Sequence, residues 1–219
     1  MLHTEHNQEA RSVSQGDAGT EPRDRAARTV TLFLLGRLRT DRGDGICRIR
    51  NVSSGGMQIE TFSPLKVGQR VEVAARNESP VRGHVAWASG TTAGIKFSAP
   101  IDSRSLLRPP VLPLARNVSI RAPRFATRTR AVLTIEGKRH DVRVFDISPG
   151  GVRLGTSAAL PQGSECHLAI PGLPRCHGTI RWADEDSAGI FFTEKLGFAS
   201  LAPWLDDQAV RFAEDDSAQ

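Results

Sequence analysis

The chain repeats itself, and the repeat limits the possible folds more than any other feature. Asn51-Val52-Ser53-Ser54-Gly55-Gly56 returns 95 residues later as Asp146-Ile147-Ser148-Pro149-Gly150-Gly151. At the same offset Gly68 meets Gly163, Trp87 meets Trp182, and Ala93-Gly94-Ile95-x-Phe97 meets Ala188-Gly189-Ile190-x-Phe192. Upstream, Arg25-Ala26-Ala27-Arg28 pairs with Arg121-Ala122-Pro123-Arg124 at an offset of 96, so one residue has slipped in between. An ordered series of matches at one spacing implies two copies of one domain, each roughly 80 to 90 residues long; two copies are too few for a solenoid.

The local patterns within each copy are those of strands. Cys47-Arg48-Ile49-Arg50 and Met57-Gln58-Ile59-Glu60 alternate apolar with polar on either side of the first turn. Val142-Arg143-Val144-Phe145 and Val152-Arg153-Leu154 flank the second. In the turns themselves, Asp, Asn and Ser can bond nearby backbone, Pro presets φ, and paired Gly permit positive φ. About six short strands per copy without a long helical period predict an all-β protein, each copy an antiparallel barrel or sandwich. Within Leu196 to Phe212, Leu201, Trp204, Leu205 and Phe212 at loosely helical spacing add a short C-terminal helix, broken or begun near Pro203 and expected to lie against the second barrel. Trp87 and Trp182 end apolar strands and are expected in core or barrel-rim packing.

The expected organisation is a disordered polar tail over 1–24, a first barrel over 25–105 and a basic, Pro-rich connector over 106–119. A second barrel with the terminal helix follows over 120–205, and an acidic tail over 206–219. Leu106-Leu107 can end a short helix before the prolines. The net charge of +5 is unevenly spread. Residues 25–105 hold thirteen bases against six acids, and 106–124 hold four Arg and no acid. Both ends are acidic. Such a region suits an anionic partner or is simply a solvated face. Cys47, Cys166 and Cys176 make an odd count, and Cys47 has no counterpart in the second copy, which argues for a reducing compartment. No apolar run approaches the ~20 residues of a membrane span, and the polar N-terminus has no signal-like apolar region. A cytoplasmic protein is expected, with no membrane insertion.

An Arg-containing lead-in followed some 22 residues later by [Asp/Asn]-x-Ser-x-x-Gly, then a Trp-bearing strand and Gly-Ile-x-Phe, resembles the PilZ domain family. The resemblance covers both copies. It implies six-stranded barrels, many of which in this family are receptors for cyclic di-GMP, while others act through protein contacts alone. The family signature is Arg-x-x-x-Arg plus the [Asp/Asn]-x-Ser-x-x-Gly turn. On this resemblance the second-copy ligand residues are Arg121, Arg124, Arg128, Asp146, Ser148 and Gly151. The weaker first-copy set is Arg25, Arg28, Asn51, Ser53 and Gly56. The arginine half departs from the signature: Asp24 and Ile120 stand where the first Arg belongs, and Arg is found at minus three instead. A literal Arg-x-x-x-Arg exists as Arg124 to Arg128, placing Arg128 inside the first strand, and Arg116 in the connector is a further candidate.

These residue types fit the ligand that the resemblance implies. Arg forks bind phosphate oxygens and stack on bases, and they match the O6/N7 edge of guanine. An Asp or Asn oxygen accepts from guanine N–H groups. Ordering of Arg116, Arg121 and Arg124 on the ligand would reorder the connector and change the angle between barrels, exposing or hiding a surface for a protein partner not yet identified. Two other readings stay open: a degenerate PilZ adaptor without nucleotide, and a nucleic-acid-binding barrel pair. The second is disfavoured because no Phe or Tyr interleaves with Arg, and the chain has no Tyr. Enzymatic activity is not expected: there is no P-loop, dinucleotide fingerprint or nucleophile elbow. Neither a cofactor nor a metal is expected, because Cys166-His167 and Cys176-His177 would face opposite sides of their strands.

Overall fold

The structure, a computed structural model, describes residues 30–75, 79–103 and 122–217, the side chains of 30–33 and 211–217 excepted. The alternating segments form strands. In the first copy these are β1 (Val30–Thr40), β2 (Gly43–Val52), β3 (Gly56–Thr61), β4 (Arg70–Ala75), β5 (Val81–Ser89) and β6 (Thr92–Phe97). They close into a barrel in the order β1-β2-β3-β6-β5-β4, with β1 opposite β4 from Gly36–Ala75 to Arg39–Glu72. Closure removes the exposed edges that a small open sheet would present. The inward set includes Leu38, Ile49, Val52, Ile59, Val73, Val85 and Ile95, all nearly inaccessible.

The second copy contains β7 (Phe125–Ala126), β8 (Arg130–Ile135), β9 (Lys138–Ser148), β10 (Gly151–Gly155), β11 (Glu165–Ala169), β12 (Cys176–Ala183) and β13 (Ser187–Phe192). Strands β8 to β13 form the same six-stranded ring, closed by β9 on β10, and β7 adds a short pairing to β9. Positions 95 apart are structurally equivalent. Val30 lies opposite Val52, and Phe125 opposite Ile147. The first strand of each copy is irregular at one place. In β1 the register shifts between Thr31 and Leu34; in the second copy the strand splits there into β7 and β8. Arg128 therefore sits in the gap between two strand pieces, not inside a strand as its register suggested.

The C-terminal helix α1 (Phe198–Ser217) is longer than its sequence signal and runs through the segment read as an acidic tail. It starts from Gly197, whose carbonyl accepts from Ser200 and Leu201. Phe198, Leu201, Ala202, Leu205 and Gln208 are buried at helical spacing. Pro203 lacks an N–H and forfeits one intrahelical bond. Trp204 is fixed on the second barrel by donating Nε1–H to the Pro171 carbonyl at 2.9 Å.

The helix does not lie on the second barrel alone. Phe198 packs against Phe62, ring centroids 6.0 Å apart, and the Arg48 guanidinium sits 4.5 Å over its ring. Ile46 and Leu35 of the first barrel join the apolar cluster of the second. The sequence concealed this because Phe62 and Leu35 read equally well as ordinary surface or core residues of their own copy. No described helix is long and apolar enough to cross a membrane. The connector, with Arg116 and the expected helix end at Leu106-Leu107, lies outside the described residues, as do Arg25, Arg28 and Arg121.

Candidate functional site

The two signature turns are structural before they are anything else. Ser148 Oγ donates to the Gly151 carbonyl at 3.1 Å, and Ser53 Oγ to Gly56 at 3.2 Å. Ser148 is 6% exposed, so its hydroxyl works within the turn. The glycines are not there for positive φ: none of Gly55, Gly56, Gly150 or Gly151 adopts it. Gly151 is needed because a Cβ there would run into the Ile190 carbonyl oxygen across β13, and at Gly56 it would come within 2.6 Å of the Ile95 carbonyl. The turn carbonyls hold the chain beyond the last strand. Phe192 N–H donates to Gly150 and Leu196 N–H to Pro149, just before α1 begins.

The polar groups gather on the outer face beside the turn. One row of cross-strand neighbours runs Ala126 (β7), Asp146 (β9), Arg153 (β10), Gly189 (β13), Trp182 (β12). Asp146 Oδ1 accepts from Arg124 Nη1 at 2.6 Å and Oδ2 from Arg153 Nε at 2.8 Å. One carboxylate thus holds two guanidinium groups, each about half exposed. Arg153 also lies 5.3 Å over the Phe145 ring. Arg124 reaches Asp146 because β7 pairs with the end of β9, which places it beside Ala126 on the same face. Arg128, also exposed, follows on that side of the strand gap.

Trp182 corrects the expectation of core packing. It is 38% exposed, and Trp87 44%. Each indole lies flat over a glycine, Gly189 or Gly94, where any Cβ would collide with the ring. A bulge before each Trp turns it outward: the β12–β13 register shifts between Ile180 and Trp182, and β5–β6 between Val85 and Trp87.

The first barrel repeats the row with different chemistry: Thr31, Asn51, Gln58, Gly94, Trp87. Asn51 Nδ2 donates to Gln58 Oε1 at 2.7 Å. Gln58 stands where the second barrel has Arg153, so the pair is neutral. A cavity of ≈ 360 Å³ opens between the Asn51 turn and Trp87. Nearby Arg48 and Arg50 are both spent on Glu60.

Of the residues expected from sequence, the structure brings together Arg124 and Asp146 around the turn made by Ser148 and Gly151, and Asn51 beside the turn of Ser53 and Gly56. Arg153 and Trp182 were missed. Both were within reach of sequence, since a tight turn after Ser148 sets Arg153 opposite Asp146, and Trp182 pairs by repeat with a glycine. Arg37 of the first barrel could not be anticipated. Its Nη2 donates to the Arg124 carbonyl at 2.6 Å, its guanidinium lies 5.7 Å from the Phe125 ring centroid, and Nη1 pairs with Asp44 at 3.2 Å.

The cysteine and histidine pairs divide as adjacent strand residues do. Cys166 and Cys176 point into the barrel, and His167 and His177 meet edge to face outside, 4.3 Å apart. Burial pushes the Cys166 and Cys176 thiols up to about 11. Among the described residues no group of three or more His, Cys, Asp or Glu could hold a metal ion.

The family model described as PilZ domain matches residues 21–108 and 120–202, one match per barrel. No curated protein matches the chain. Among solved structures it is similar to the Borreliella burgdorferi PlzA protein in complex with c-di-GMP, at 14% identity and TM-score 0.38, covering 82% of this chain and 88% of that one. The Bacillus subtilis inhibitor of motility, MotI/DgrA, is 12% identical with TM-score 0.34, covering 83% and 99%. Escherichia coli YcgR in complex with c-di-GMP is 14% identical with TM-score 0.28, covering 85% of each.

Proposed function

The chain belongs to the PilZ domain family, in two tandem copies, and from that premise we propose that its second barrel is a receptor site for cyclic di-GMP. The observation that carries the reading is the Asp146 carboxylate held between Arg124 and Arg153 on an outer face that ends in an exposed indole. Two half-exposed guanidinium groups suit the two phosphates, a carboxylate suits the guanine N–H edge, and Trp182 offers a plane for a base. On binding, Arg124 exchanges its bond to Asp146 for phosphate oxygen, leaving the carboxylate free to accept from guanine. Arg121 and Arg128 flank Arg124 in sequence and complete the phosphate contacts. Ser148 and Gly151 shape the turn that sets Arg153 opposite Asp146.

Each charge-assisted bond contributes ~1.5–3 kcal/mol net and micromolar affinity needs about −8 kcal/mol, so about three to five such bonds are needed. The first barrel, with Asn51, Ser53, Gly56 and neutral Gln58 and with Arg25 and Arg28 in its lead-in, is the weaker site for the same ligand.

Signalling follows from what Arg124 is attached to. Its carbonyl accepts from Arg37 across the junction, so moving the Arg124 segment onto a ligand shifts the barrels and orders the connector that carries Arg116. A protein partner reads the changed arrangement. Without nucleotide binding, the same surfaces would serve an adaptor that works through protein contacts alone.

Titration of cyclic di-GMP into the full chain tests the reading. Micromolar or tighter binding is expected, lost in Arg124→Ala, weakened about tenfold or more in Arg153→Ala and nearly unchanged in Asn51→Ala. Absence of binding at high micromolar ligand would refute the receptor reading and leave the adaptor.

A further inference from the structure

The first barrel carries a row of bases that the second lacks. Arg70 on β4, His84 on β5 and Lys96 on β6 are successive cross-strand neighbours. None of the three has an acidic partner among the described residues. Neighbouring strands lie about 4.8 Å apart, so the row spans about 10 Å. Beside it opens a cavity of ≈ 610 Å³. Glu72 holds Arg82 at its rim through a 2.8 Å contact and reaches Arg39 at 3.8 Å. Arg39 is held more closely by Asp44, at 2.9 Å, so of the three guanidinium groups at this cavity Arg70 is the one without an acidic partner among the described residues. Part of the floor is bare backbone at Gly83, where a Cβ would strike Lys96 and Ile95.

The duplication supplies an internal control. Ninety-five residues on, Arg70, His84 and Lys96 become Glu165, Thr179 and Phe191. The Glu72–Arg82 pair becomes His167–His177. The same barrel closes without these three bases, so the fold does not require them.

The row continues into the other cavity. Lys96 also lines the ≈ 360 Å³ space that holds Trp87, Asn51 and Gln58. The two cavities share no residue; Lys96, paired with His84 across β5 and β6, joins them, so this outer face offers an aromatic plane and two neutral amides at one end and a line of bases at the other. Such a gradient fits a ligand with a planar, hydrogen-bonding head and an extended, anionic tail. We propose that this outer face of the first barrel binds a linear nucleoside triphosphate, its base against Trp87 and its phosphates along Lys96, His84 and Arg70. Lysine and arginine bind phosphate oxygens by charge-assisted bonds, and an exposed indole stacks a base without regard to its identity.

Adenosine triphosphate and inorganic pyrophosphate are the probes, titrated into the full chain at about 150 mM salt, where exposed charges are screened beyond ~8 Å. Calorimetry and fluorescence in a Trp182→Phe background give the readouts, the change at Trp87 being read over the constant emission of buried Trp204. Saturable binding of the triphosphate is expected, quenching Trp87, with pyrophosphate weaker. Arg70→Ala and Lys96→Ala each weaken both ligands about tenfold or more. Trp87→Ala weakens the triphosphate and leaves pyrophosphate unchanged. No saturable binding up to about 1 mM, or full displacement by sulfate at matched ionic strength, would overturn the proposal. So would binding that survives Arg70→Ala and is lost in Arg124→Ala, which would place the nucleotide on the second barrel instead.

Discussion

Replacing Gly151 by alanine separates the two meanings that the signature turn can have. If its glycine serves ligand approach, alanine harms binding and spares the fold; if it serves strand packing, alanine harms the fold first. The structure gives the size of the effect. A Cβ at Gly151 meets the Ile190 carbonyl oxygen closer than the 2.6 Å found at Gly56, and also lies 3.3 Å from the Ile190 carbonyl carbon and 3.4 Å from Phe191 Cα. All three are backbone atoms of β13, so no side chain can swing aside. Restoring an ordinary C···O separation of about 3.3 Å requires β10 and β13 to part by about 1 Å. Overpacking of this kind costs about 1–3 kcal/mol, and each ladder bond lengthened adds about 1 kcal/mol. The expected loss is about 3 kcal/mol, against a domain stability of about 0.1 kcal/mol per residue. Because the two barrels share one unfolding transition, a unit of about 150–250 residues, that lowers Tm by roughly 6–12 °C. Gly150→Ala is the control, since nothing lies within 4 Å of its Cβ, and it should stay within about 0.5 kcal/mol of the parent. Thermal and urea unfolding, followed by circular dichroism, measure both. Equal stability of the two variants would refute the packing argument.

Other consequences can be checked in the same way. Cys47 is fully buried, which pushes its thiol up to about 12 from 9.0, with the Gly36 backbone contact opposing weakly. Its folded pKa is raised, so its contribution to stability is complete below pH 9 and declines as pH rises from there towards 12. Cys47→Val, the residue found at the equivalent position 142, should flatten that decline in alkaline unfolding curves. Phe198→Ala removes a buried ring held between Phe62 and Arg48; it should cost about 3 kcal/mol and split a shared unfolding transition into two, seen by calorimetry. Iodide should quench Trp87 and Trp182 but leave Trp204, 5% exposed, so that Trp87→Phe/Trp182→Phe fluorescence becomes insensitive to iodide.

The repeat made the barrels legible because each strand's alternation was seen twice, and a shared offset of 95 aligned the turns without any structure. Asp146 and Arg124 were readable for the same reason. The φ of the motif glycines was misread because composition records which residue lacks a Cβ and not which neighbour needs the space. The outward position of Trp182 depends on a bulge, which shifts strand parity and leaves no mark on apolar periodicity. Arg37 and Phe62 belong to the junction between copies, and a repeat carries information within each copy only. The full length of α1 was obscured by Asp206, Asp207 and the acids after them, which read as tail because their helical backbone is extended from a buried first half.

The seat of Phe198 has a bearing on how many such units can join. The contact is head to tail, the helix of one copy against β2 of the other, and a contact of that kind could in principle propagate into a filament. It does not find a second seat here. Where the first barrel offers Ile46 and Phe62, the second has Asp141 and Ser157, and Asp141 is exposed. An incoming helix would have to bury a carboxylate in place of an isoleucine, so the second barrel does not repeat the seat that the first one offers.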